Sequence, residues 1–513
     1  MRTPRVVVIG AGVGGLTAAL DLAAHGVDVT VVERAGGPGG KMREVEIGHR
    51  HLDCGPTVLT MVWVFDEIFA DAGTSLAAEV TLRPLDILAR HAWTADERLD
   101  LFADIERSVD AIGEFAGAAE ARRYVQFCAW TRRVYETLEA PFLRSSEPSL
   151  RALLRHHAAA DPAKLWQLAP FSTMWRTLGT YFHDRRLRQL FGRYATYCGS
   201  SPFQAPATLM LIAHVEQCGV WIVEGGMHRL AEALARIALG RGARFRYGAE
   251  AREIGLAGGR ISGITLACGE RLDADAVIVN ADVAAVAAGW FGGPAARAVS
   301  RPPRSKQSLS AVTWAMVATC EGFPLTRHNV FFSDDYAAEF EDLFGRARLP
   351  LAPSVYVCAQ DRENQAKSEY VGPETLLCLV NAPPMAGPHA LAPSEIGQCE
   401  LRTFALLERC GLRLRRKRDA TIVTTPADFA RMFPGTGGAL YGPASHGWSA
   451  PFLRSGVRSR VPGLYLAGGS IHPGAGIPTS ALSGRAAAAS LLSDFVSTGR
   501  SGRAAMPGGT STH

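Results

Sequence analysis

Residues 5–15 read RVVVIGAGVGG, a β-branched apolar run that leads directly into a glycine-rich turn. Such a run predicts a buried parallel strand, because both faces of that kind of strand are covered. The alanine- and leucine-rich stretch Leu16–His25 predicts a helix, and Gly26 predicts its C-terminal cap. A second strand is expected over Val27–Val32, ending on Glu33. This order of strand, Gly-x-Gly-x-x-Gly, helix, strand and acidic residue predicts a dinucleotide-binding βαβ unit.

The glycines of this fingerprint have separate physical roles. Gly10 permits the tight turn, Gly12 lets the backbone approach a pyrophosphate, and Gly15 lets the helix pack close to the strand. Gly14 stands in the same turn and is also a candidate cofactor-binding residue. The N-terminus of the helix offers free N–H groups and the positive end of its dipole to phosphates. Glu33 can accept hydrogen bonds from both hydroxyls of a ribose, which favours FAD or NAD over a 2′-phosphorylated nucleotide.

A second glycine-rich segment separates FAD from NAD. The chain continues from Glu33 as RAGGPGGK over residues 34–41, and DCGPT follows at residues 53–57. This resembles the extended motif of the amine-oxidase and carotenoid-desaturase flavoproteins, in which the second Gly-Gly turn and the basic residue track FAD towards its ribityl chain. The resemblance makes further candidates of Arg34, Gly39, Gly40, Lys41, Gly55, Pro56 and Thr57. The alternative interpretation is a surface glycine loop. A second complete fingerprint is absent from the sequence, so a built-in NAD(P)H site is not supported.

Composition limits the class of protein. A chain of 513 residues with 47% apolar and 20% charged residues is expected to fold into two or three lobes. Its net charge of +5 excludes a nucleic-acid footprint, and its short basic runs fit either solvated faces or an anionic membrane surface. The ten cysteines form no C-x-x-C motif, so reduced thiols in a cytosolic protein are expected. No apolar run reaches the ~18–20 residues that a membrane-spanning helix needs.

The middle of the chain alternates in character. The segment 76–206 is predicted to be helical, and its aromatic residues fit either an ordinary core or the wall of a tunnel for a long apolar substrate. The segment 207–290 returns to α/β character, with strands expected over Arg244–Glu253 and Asp275–Asn280. The predicted organisation is an FAD-binding domain over 1–75, 207–290 and 446–498, a helical substrate and membrane-facing region over 76–206, a substrate domain over 291–445, and a disordered tail over 499–513.

Near the C-terminus, a short strand over Leu464–Ala467 leads into a second glycine turn. The sequence there is GGSIHPGAGIP over residues 468–478, and an alanine-rich helix follows. Glycines let backbone N–H groups crowd a ligand, and a helix N-terminus stabilises a flavin whose pyrimidine ring becomes electron-rich on reduction. The additional cofactor candidates are Gly468, Gly469, Gly476, Ile477 and Pro478. His472 is a weak catalytic candidate because it lies near the flavin, and the alternative is a structural histidine before Pro473.

With both ends considered, the chain resembles the phytoene-desaturase-type carotenoid desaturases over nearly its whole length. The matching segments are the N-terminal fingerprint with GGK at 39–41, GSSP at 199–202, EGGM at 224–227 and HPGAGIP at 472–478. The form of the C-terminal segment, with FPGTGGALYG at 433–442 before it, is similar to the 1-hydroxycarotenoid 3,4-desaturases of purple phototrophic bacteria. The resemblance implies an α/β fold in which a Rossmann-type FAD-binding domain carries an inserted α+β substrate domain, as in amine oxidases and Rab GDP-dissociation inhibitors.

The resemblance also implies an activity. A C-3,4 double bond would be introduced into a 1-hydroxycarotenoid, with the hydride going to FAD and the electrons passing to quinone or oxygen. The protein would dock on the inner or photosynthetic membrane as a peripheral cytoplasmic protein. Metal is not expected. A multi-step phytoene desaturase, an amine or protoporphyrinogen-type oxidase, and a prenyl-protein carrier without FAD remain as alternatives.

Overall fold

The computed structural model of the chain describes residues 3–158, 169, 171–301, 303, 307–362, 372–384 and 390–501. The strands are β1 (Arg5–Ile9), β2 (Asp28–Val32), β3 (Glu44–Ile47), β4 (Arg50–Asp53), β5 (Leu82–Pro84), β6 (Ile87–Ala92), β7 (Arg98–Phe102), β8 (Trp221–Val223), β9 (Arg244–Arg246), β10 (Ala251–Ala257), β11 (Arg260–Leu266), β12 (Arg271–Asp273), β13 (Ala276–Val279), β14 (Ser310–Glu321), β15 (His328–Phe331), β16 (Val355–Ala359), β17 (Pro373–Ala382), β18 (Arg413–Thr424) and β19 (Leu464–Leu466). The helices are α1 (Val13–Ala24), α2 (Trp63–Asp71), α3 (Leu76–Glu79), α4 (Ile105–Ala116), α5 (Ala118–Leu138), α6 (Leu150–Ala158), α7 (Met174–Tyr181), α8 (Arg185–Gly192), α9 (Leu211–Gln217), α10 (His228–Gly240), α11 (Val283–Ala287), α12 (Gly293–Arg297), α13 (Tyr336–Phe340), α14 (Pro393–Arg409), α15 (Pro426–Met432) and α16 (Ile477–Ser501).

A five-stranded parallel sheet, in the order β19-β13-β1-β2-β9, carries the N-terminal fingerprint. β1 lies at its centre, with Val8 opposite Val31 of β2 and Ile278 of β13. Every residue of β1 after Arg5 is buried, which explains why the run is apolar throughout and does not alternate. α1 begins at Val13, immediately after the glycine turn. The predicted Rossmann-type sheet is therefore present, and three distant stretches of the chain contribute its strands.

A seven-stranded sheet, in the order β18-β14-β17-β16-β15-β6-β7, forms the second lobe. Its neighbouring strands are antiparallel except for the parallel pair β15 and β6. Trp314, Val357 and Cys378 from three of its strands are fully buried and pack in one cluster with Leu407 of α14. This lobe combines helices with an antiparallel sheet, which agrees with the predicted inserted α+β domain.

The prediction that the whole segment 76–206 is helical is wrong for its first part. β5, β6 and β7 lie there, and β6 joins the seven-stranded sheet by pairing with β15, far along the chain. All six residues of β6 are buried. Arg90 and His91 interrupt the apolar residues of this short run and leave no clear periodicity, so the partner strand decided its conformation.

Two further boundaries differ from expectation. The strand predicted over Arg244–Glu253 is two strands, because the backbone turns at Gly248 with φ +67 between β9 and β10. β9 belongs to the parallel sheet, while β10 starts a three-stranded antiparallel meander with β11 and β12. The tail predicted to be disordered from Gly499 is helical up to Ser501, where α16 ends. Residues 502–513 lie outside the described part.

Two other expectations concern the oxidation state of the cysteines and the presence of membrane-spanning helices. All ten cysteines are free, and five of them are buried, in agreement with the prediction of reduced thiols. Within the described ranges, none of the helices combines the length and the apolarity that crossing a membrane requires.

Candidate functional site

A cavity of about 1120 Å³ joins the edge of the parallel sheet to the second lobe. Its wall begins at the fingerprint, follows residues 39–43 and 54–58, and reaches residues 467–470 and 473–480. It then continues between the helical region and the seven-stranded sheet. All of the candidate cofactor-binding residues except Gly15 line this cavity. The two glycine-rich ends of the chain, which are far apart in sequence, thus meet at one site.

The fingerprint glycines are required by close contacts. A Cβ on Gly15 would lie 2.2 Å from the carbonyl oxygen of Gly10, so Gly15 serves helix–strand packing and not the cavity wall. A Cβ on Gly12 would lie 2.7 Å from Oδ1 of Asn280. No side chain caps the N-terminus of α1. The free N–H groups of its first turn are therefore left for a ligand at the cavity wall.

Asn280 is a site residue that was missed as a candidate. It follows β13 at the carboxyl edge of the parallel sheet and lines the cavity. Its Nδ2 donates to the carbonyl oxygen of Ala467 at 3.2 Å, and its Oδ1 is buried with no partner among the described residues. Ligands of open α/β sheets bind beyond the carboxyl ends of the strands. The signal that could have identified Asn280 is its position as a polar residue directly after a predicted buried strand.

Glu33 is held in place at the edge of the cavity. Its Oε2 accepts a hydrogen bond from the amide of Ala11 at 2.7 Å, and its Oε1 accepts one from Ala35 at 2.8 Å. Each carboxylate oxygen retains a second lone pair, so both hydroxyls of a ribose can still be bound. Arg34 is exposed, and its guanidinium donates to two backbone carbonyls at the end of α15, at 2.7 and 2.8 Å.

The second glycine segment folds against the C-terminal half of the chain. Nζ of Lys41 donates to the carbonyl oxygen of Leu440 at 2.5 Å and lies 5.3 Å from the ring centroid of Phe433. Burial lowers the pKa of Lys41. A Cβ on Gly55 would come within 1.9 Å of the carbonyl oxygen of Lys41, so only glycine fits there. These contacts fix the loop in the cavity wall and argue against a surface glycine loop.

The C-terminal segment brings a second helix N-terminus to the site. α16 begins at Ile477, directly after Gly476, which has φ +128. α16 packs against α1 without a gap, because a Cβ on Gly484 would lie 2.1 Å from the carbonyl oxygen of Gly14. Two helix N-termini therefore approach the cavity from adjacent helices, and both favour negative charge there.

His472 does not line the cavity, although its neighbour Pro473 does. Its ring is fully buried, stands edge-on to Phe142 at 4.6 Å between centroids, and places Nε2 2.7 Å from the carbonyl oxygen of Phe142. Burial lowers the pKa of His472 to about 4, so the ring is neutral at neutral pH. This geometry favours the structural interpretation of His472 over the catalytic one.

Away from the glycine segments the cavity wall is mostly apolar. Aliphatic and aromatic side chains of the helical region and of β17 supply it: Leu138, Phe142, Leu143, Leu153, Leu209, Leu211, Ile212, Val215, Leu377, Leu379 and Phe452. Four other lining residues, Leu150, Leu154, Phe171 and Trp448, are between 37 and 69% exposed and mark the mouth of the cavity. The rings of Phe171 and Trp448 meet there in a T-shaped contact at 5.6 Å.

Most of the aromatic residues noted in the helical region form a core of their own. Phe127, Phe182 and Phe191 pack together with centroids 4.8 to 5.2 Å apart, and none of them lines the cavity. Phe142 and Phe171 do line it. The core interpretation therefore holds for the first three residues, while Phe142 and Phe171 face the cavity, where a substrate tunnel stays a prediction.

A polar patch interrupts the apolar wall next to the glycine segments. Arg193 donates to the hydroxyl of Tyr197 at 3.0 Å, and that hydroxyl donates to Oε1 of Glu216 at 3.1 Å. On the facing sheet, the hydroxyl of Tyr356 lies 2.7 Å from Oγ1 of Thr57 and 2.7 Å from Nδ1 of His328. Burial lowers the pKa of His328 to about 3. Apart from Thr57, which belongs to the segment 53–57, no local motif pointed to these residues, because five separate segments contribute them.

The residues present fit a bound FAD. A Cβ on Gly40 would come 3.2 Å from Cα of Gly12, so the two glycine turns pack directly against each other and leave no room for a side chain between them. The uncapped start of α1 and Asn280, whose Oδ1 has no partner among the described residues, lie at the same part of the cavity wall. Glu33 is placed for the ribose, while the glycines and the start of α16 line the part of the wall that would hold the ring system.

Comparisons with known proteins agree with this geometry. Residues 13–492 match the model of the family described as flavin containing amine oxidoreductase. The chain is 52% identical over 513 residues to the hydroxyneurosporene desaturase of Rubrivivax gelatinosus, covering 100% of this chain and 98% of that protein. It is 44% identical to the hydroxyneurosporene desaturase of Cereibacter sphaeroides, over 97% and 99% of the two chains. A solved oxidoreductase from Methanosarcina mazei has a TM-score of 0.58 at 16% identity, over 95% and 100% of the chains, and shows the shared fold.

The expected fold, the FAD cofactor and the class of FAD-dependent oxidoreductase are confirmed by these matches together. The match to the first desaturase covers the whole chain, and the match to the second covers 97% of it. The chain therefore belongs to the flavin-containing amine oxidoreductase family and, within it, to the carotenoid desaturases.

Proposed function

We propose that this protein is a carotenoid desaturase that introduces a C-3,4 double bond into a 1-hydroxycarotenoid such as 1-hydroxyneurosporene. One observation carries the proposal: a single cavity runs from the cofactor glycines along an apolar wall to an exposed apolar mouth. A long polyene requires such a continuous apolar passage to the flavin. The 52% identity to a hydroxyneurosporene desaturase favours the hydroxylated substrate over phytoene, and favours desaturation over amine oxidation or prenyl-protein transport.

The chemistry removes two hydrogens from adjacent carbons. FAD, held against the glycine segments, would supply the two-electron acceptor for the hydride that leaves one carbon. A proton leaves the neighbouring carbon, and the electron pair of that C–H bond becomes the new double bond. The contribution of the protein is to hold the polyene in a fixed orientation between apolar side chains such as Leu211 and Leu379, and to exclude water.

The mouth of the cavity supports docking on an anionic lipid surface. Leu150, Leu154 and Phe171 expose apolar area there. Arg151 and Arg155 are exposed on the same helix, α6, and a basic residue near an anionic bilayer adds about 1 kcal/mol of attraction. A carotenoid dissolved in the bilayer could then enter the cavity without crossing water. Peripheral attachment to the inner or photosynthetic membrane follows from this proposal.

We further propose that quinone or oxygen reoxidises the cofactor. The chain carries one dinucleotide fingerprint, and a second strand–Gly-x-Gly-x-x-Gly–helix unit is absent from the sequence. A nicotinamide-dependent route therefore has no recognisable site. A membrane quinone would have access through the same apolar mouth.

The test is an anaerobic incubation of FAD-loaded protein with 1-hydroxyneurosporene, phytoene and a quinone, followed by chromatography and mass spectrometry. We expect loss of two mass units from 1-hydroxyneurosporene, a red shift of its absorption and little conversion of phytoene. Several-step conversion of phytoene with the hydroxylated carotenoid untouched would contradict the substrate assignment and leave the desaturase class standing. Turnover of neither carotenoid would contradict the class.

A further inference from the structure

Two buried polar atoms in the cavity wall lack partners. Tyr336 and Glu339 lie on α13, both line the cavity, and they are only 6 and 1% exposed. The hydroxyl of Tyr336 and Oε1 of Glu339 make no hydrogen bond within the described residues. A polar group left unpaired in a protein interior is costly, so an orphaned pair at a cavity wall indicates a ligand.

The two side chains are held facing the same space. A spacing of three residues places them on one side of a helical turn. The other carboxylate oxygen of Glu339 is occupied, since Ser354 donates to Oε2 at 2.6 Å and Ser333 donates to it at 3.2 Å. Burial raises the pKa of Glu339 to about 7. The serines therefore fix the carboxyl group and leave Oε1 for the cavity.

This pair lies close to the cofactor loop. Ser354 immediately precedes β16 and is two residues from Tyr356, which corresponds to about 7 Å along an extended chain. The hydroxyl of Tyr356 contacts Thr57, a cofactor candidate, at 2.7 Å. Glu339 is thus held by a residue that lies two positions from a direct contact of the cofactor loop.

We propose that Tyr336 and Glu339 form the subsite that binds the tertiary hydroxyl of the carotenoid, which deepens the proposed function and rests on it. An alcohol can accept a hydrogen bond from the hydroxyl of Tyr336 and donate one to Oε1 of Glu339. The C-1 hydroxyl is only a few bonds from the carbons that lose hydrogen at C-3 and C-4, so its binding site must be next to the flavin. The position of the pair beside the Tyr356–Thr57 contact meets that requirement.

The subsite accounts for substrate choice. Neurosporene, which lacks the hydroxyl, would bury both polar atoms against a methyl group and leave them unpaired. A site built to hydrogen-bond a hydroxyl rejects the analogue without it far more strongly than an apolar pocket rejects a small change in size. Tyr336 and Glu339 therefore determine specificity, and their removal should narrow the preference for the hydroxylated carotenoid.

The experiment compares kcat/KM for 1-hydroxyneurosporene and neurosporene in the FAD-loaded full chain, anaerobically with a quinone. Tyr336→Phe removes one hydroxyl without changing the ring, and we expect kcat/KM to fall about tenfold or more for the hydroxylated carotenoid while that for neurosporene is retained. Glu339→Gln keeps an acceptor oxygen and should keep most of the preference. Tyr181→Phe is the matched control, because Tyr181 packs against Phe127 and does not line the cavity.

Each other outcome overturns the assignment. If Tyr336→Phe lowers kcat/KM equally for both carotenoids, or for neither, the hydroxyl subsite is wrong. If Glu339→Gln abolishes turnover of both carotenoids, Glu339 takes part in the chemistry itself and not in selecting the end group. If the wild-type protein converts neither carotenoid, the proposed function fails and the subsite with it, which separates that failure from the first two.

Discussion

Replacing Gly484 with alanine is expected to separate the two helices whose N-termini meet at the cavity. Gly484 is buried in α16, where an added Cβ would lie 2.1 Å from the carbonyl oxygen of Gly14 and 3.2 Å from the amide nitrogen of Ala18. Both contacts are with backbone, so no rotation of a side chain relieves them. Since non-bonded heavy atoms prefer separations of about 3.5–4.0 Å, the helices must move apart by roughly 1.4 Å or more.

This displacement should lower both the free energy of unfolding and the affinity for FAD. Overpacking a buried contact destabilises by about 1–3 kcal/mol, and the better helix propensity of alanine offsets about 0.8–1 kcal/mol. The moved N-termini should also weaken cofactor binding about fivefold, which corresponds to ~1 kcal/mol of lost interaction with the helix ends. Thermal unfolding of the apoprotein and a fluorescence titration with FAD measure the two effects separately.

Gly397→Ala provides the control, because Gly397 lies inside α14 and a Cβ added there would have nothing within 4 Å. The same substitution there changes only helix propensity and should be neutral or slightly stabilising, with FAD affinity unchanged. If Gly484→Ala matches Gly397→Ala in both measurements, the close packing of α1 and α16 does not position the cofactor, and the reasoning is refuted.

Three further outcomes are expected. Gly12→Val should abolish flavin absorbance in the purified protein, because its Cβ alone would lie 2.7 Å from Oδ1 of Asn280; full retention of FAD would contradict the placement of the phosphates. The raised pKa of Glu339, from 4.5 to about 7, means that the folded state holds the proton more tightly, so its contribution to stability is lost as pH rises through about 7. Glu339→Gln should therefore reduce the fall in melting temperature between pH 5 and pH 8. An equal fall in the variant and in the wild-type protein would contradict the raised pKa of Glu339. Replacing the exposed Trp448 by serine should weaken sedimentation with anionic liposomes, whereas Leu401→Ser, at another exposed apolar residue on α14, should not; equal binding by both would remove the proposed docking site.

The strands of the second lobe show which elements could be predicted from the sequence and which could not. β16 (Val355–Ala359) and β17 (Pro373–Ala382) are apolar runs rich in Val, Leu and Cys, a pattern from which a strand can be predicted without its partners. Ile87–Ala92 was not recognised, since Arg90 and His91 interrupt its apolar residues and leave no clear strand periodicity. Its strand conformation depends on pairing with β15, whose position in the chain is remote.

The cofactor site could be predicted from the sequence to a much greater extent than the substrate site. The glycines at positions 10, 12, 14 and 15, together with Glu33, act within one βαβ unit, where local spacing dictates geometry. The glycine turn at 468–469 and the helix that starts at Ile477 were predicted in the same way. Cofactor identity and fold class followed from those segments, because backbone turns and helix ends need no distant partner to form.

Three polar groups of the cavity wall could be identified only from the tertiary structure. Asn280 at the cofactor end and Tyr336 and Glu339 farther along the wall carry no motif, and each is significant because one of its buried atoms has no partner among the described residues. Whether a buried oxygen is satisfied depends on which distant strand, helix or loop packs beside it. The sequence by itself predicted the glycine segments that are expected to hold FAD, while the packing of remote segments against one cavity decided which side chains line its apolar wall and which, such as His472, do not.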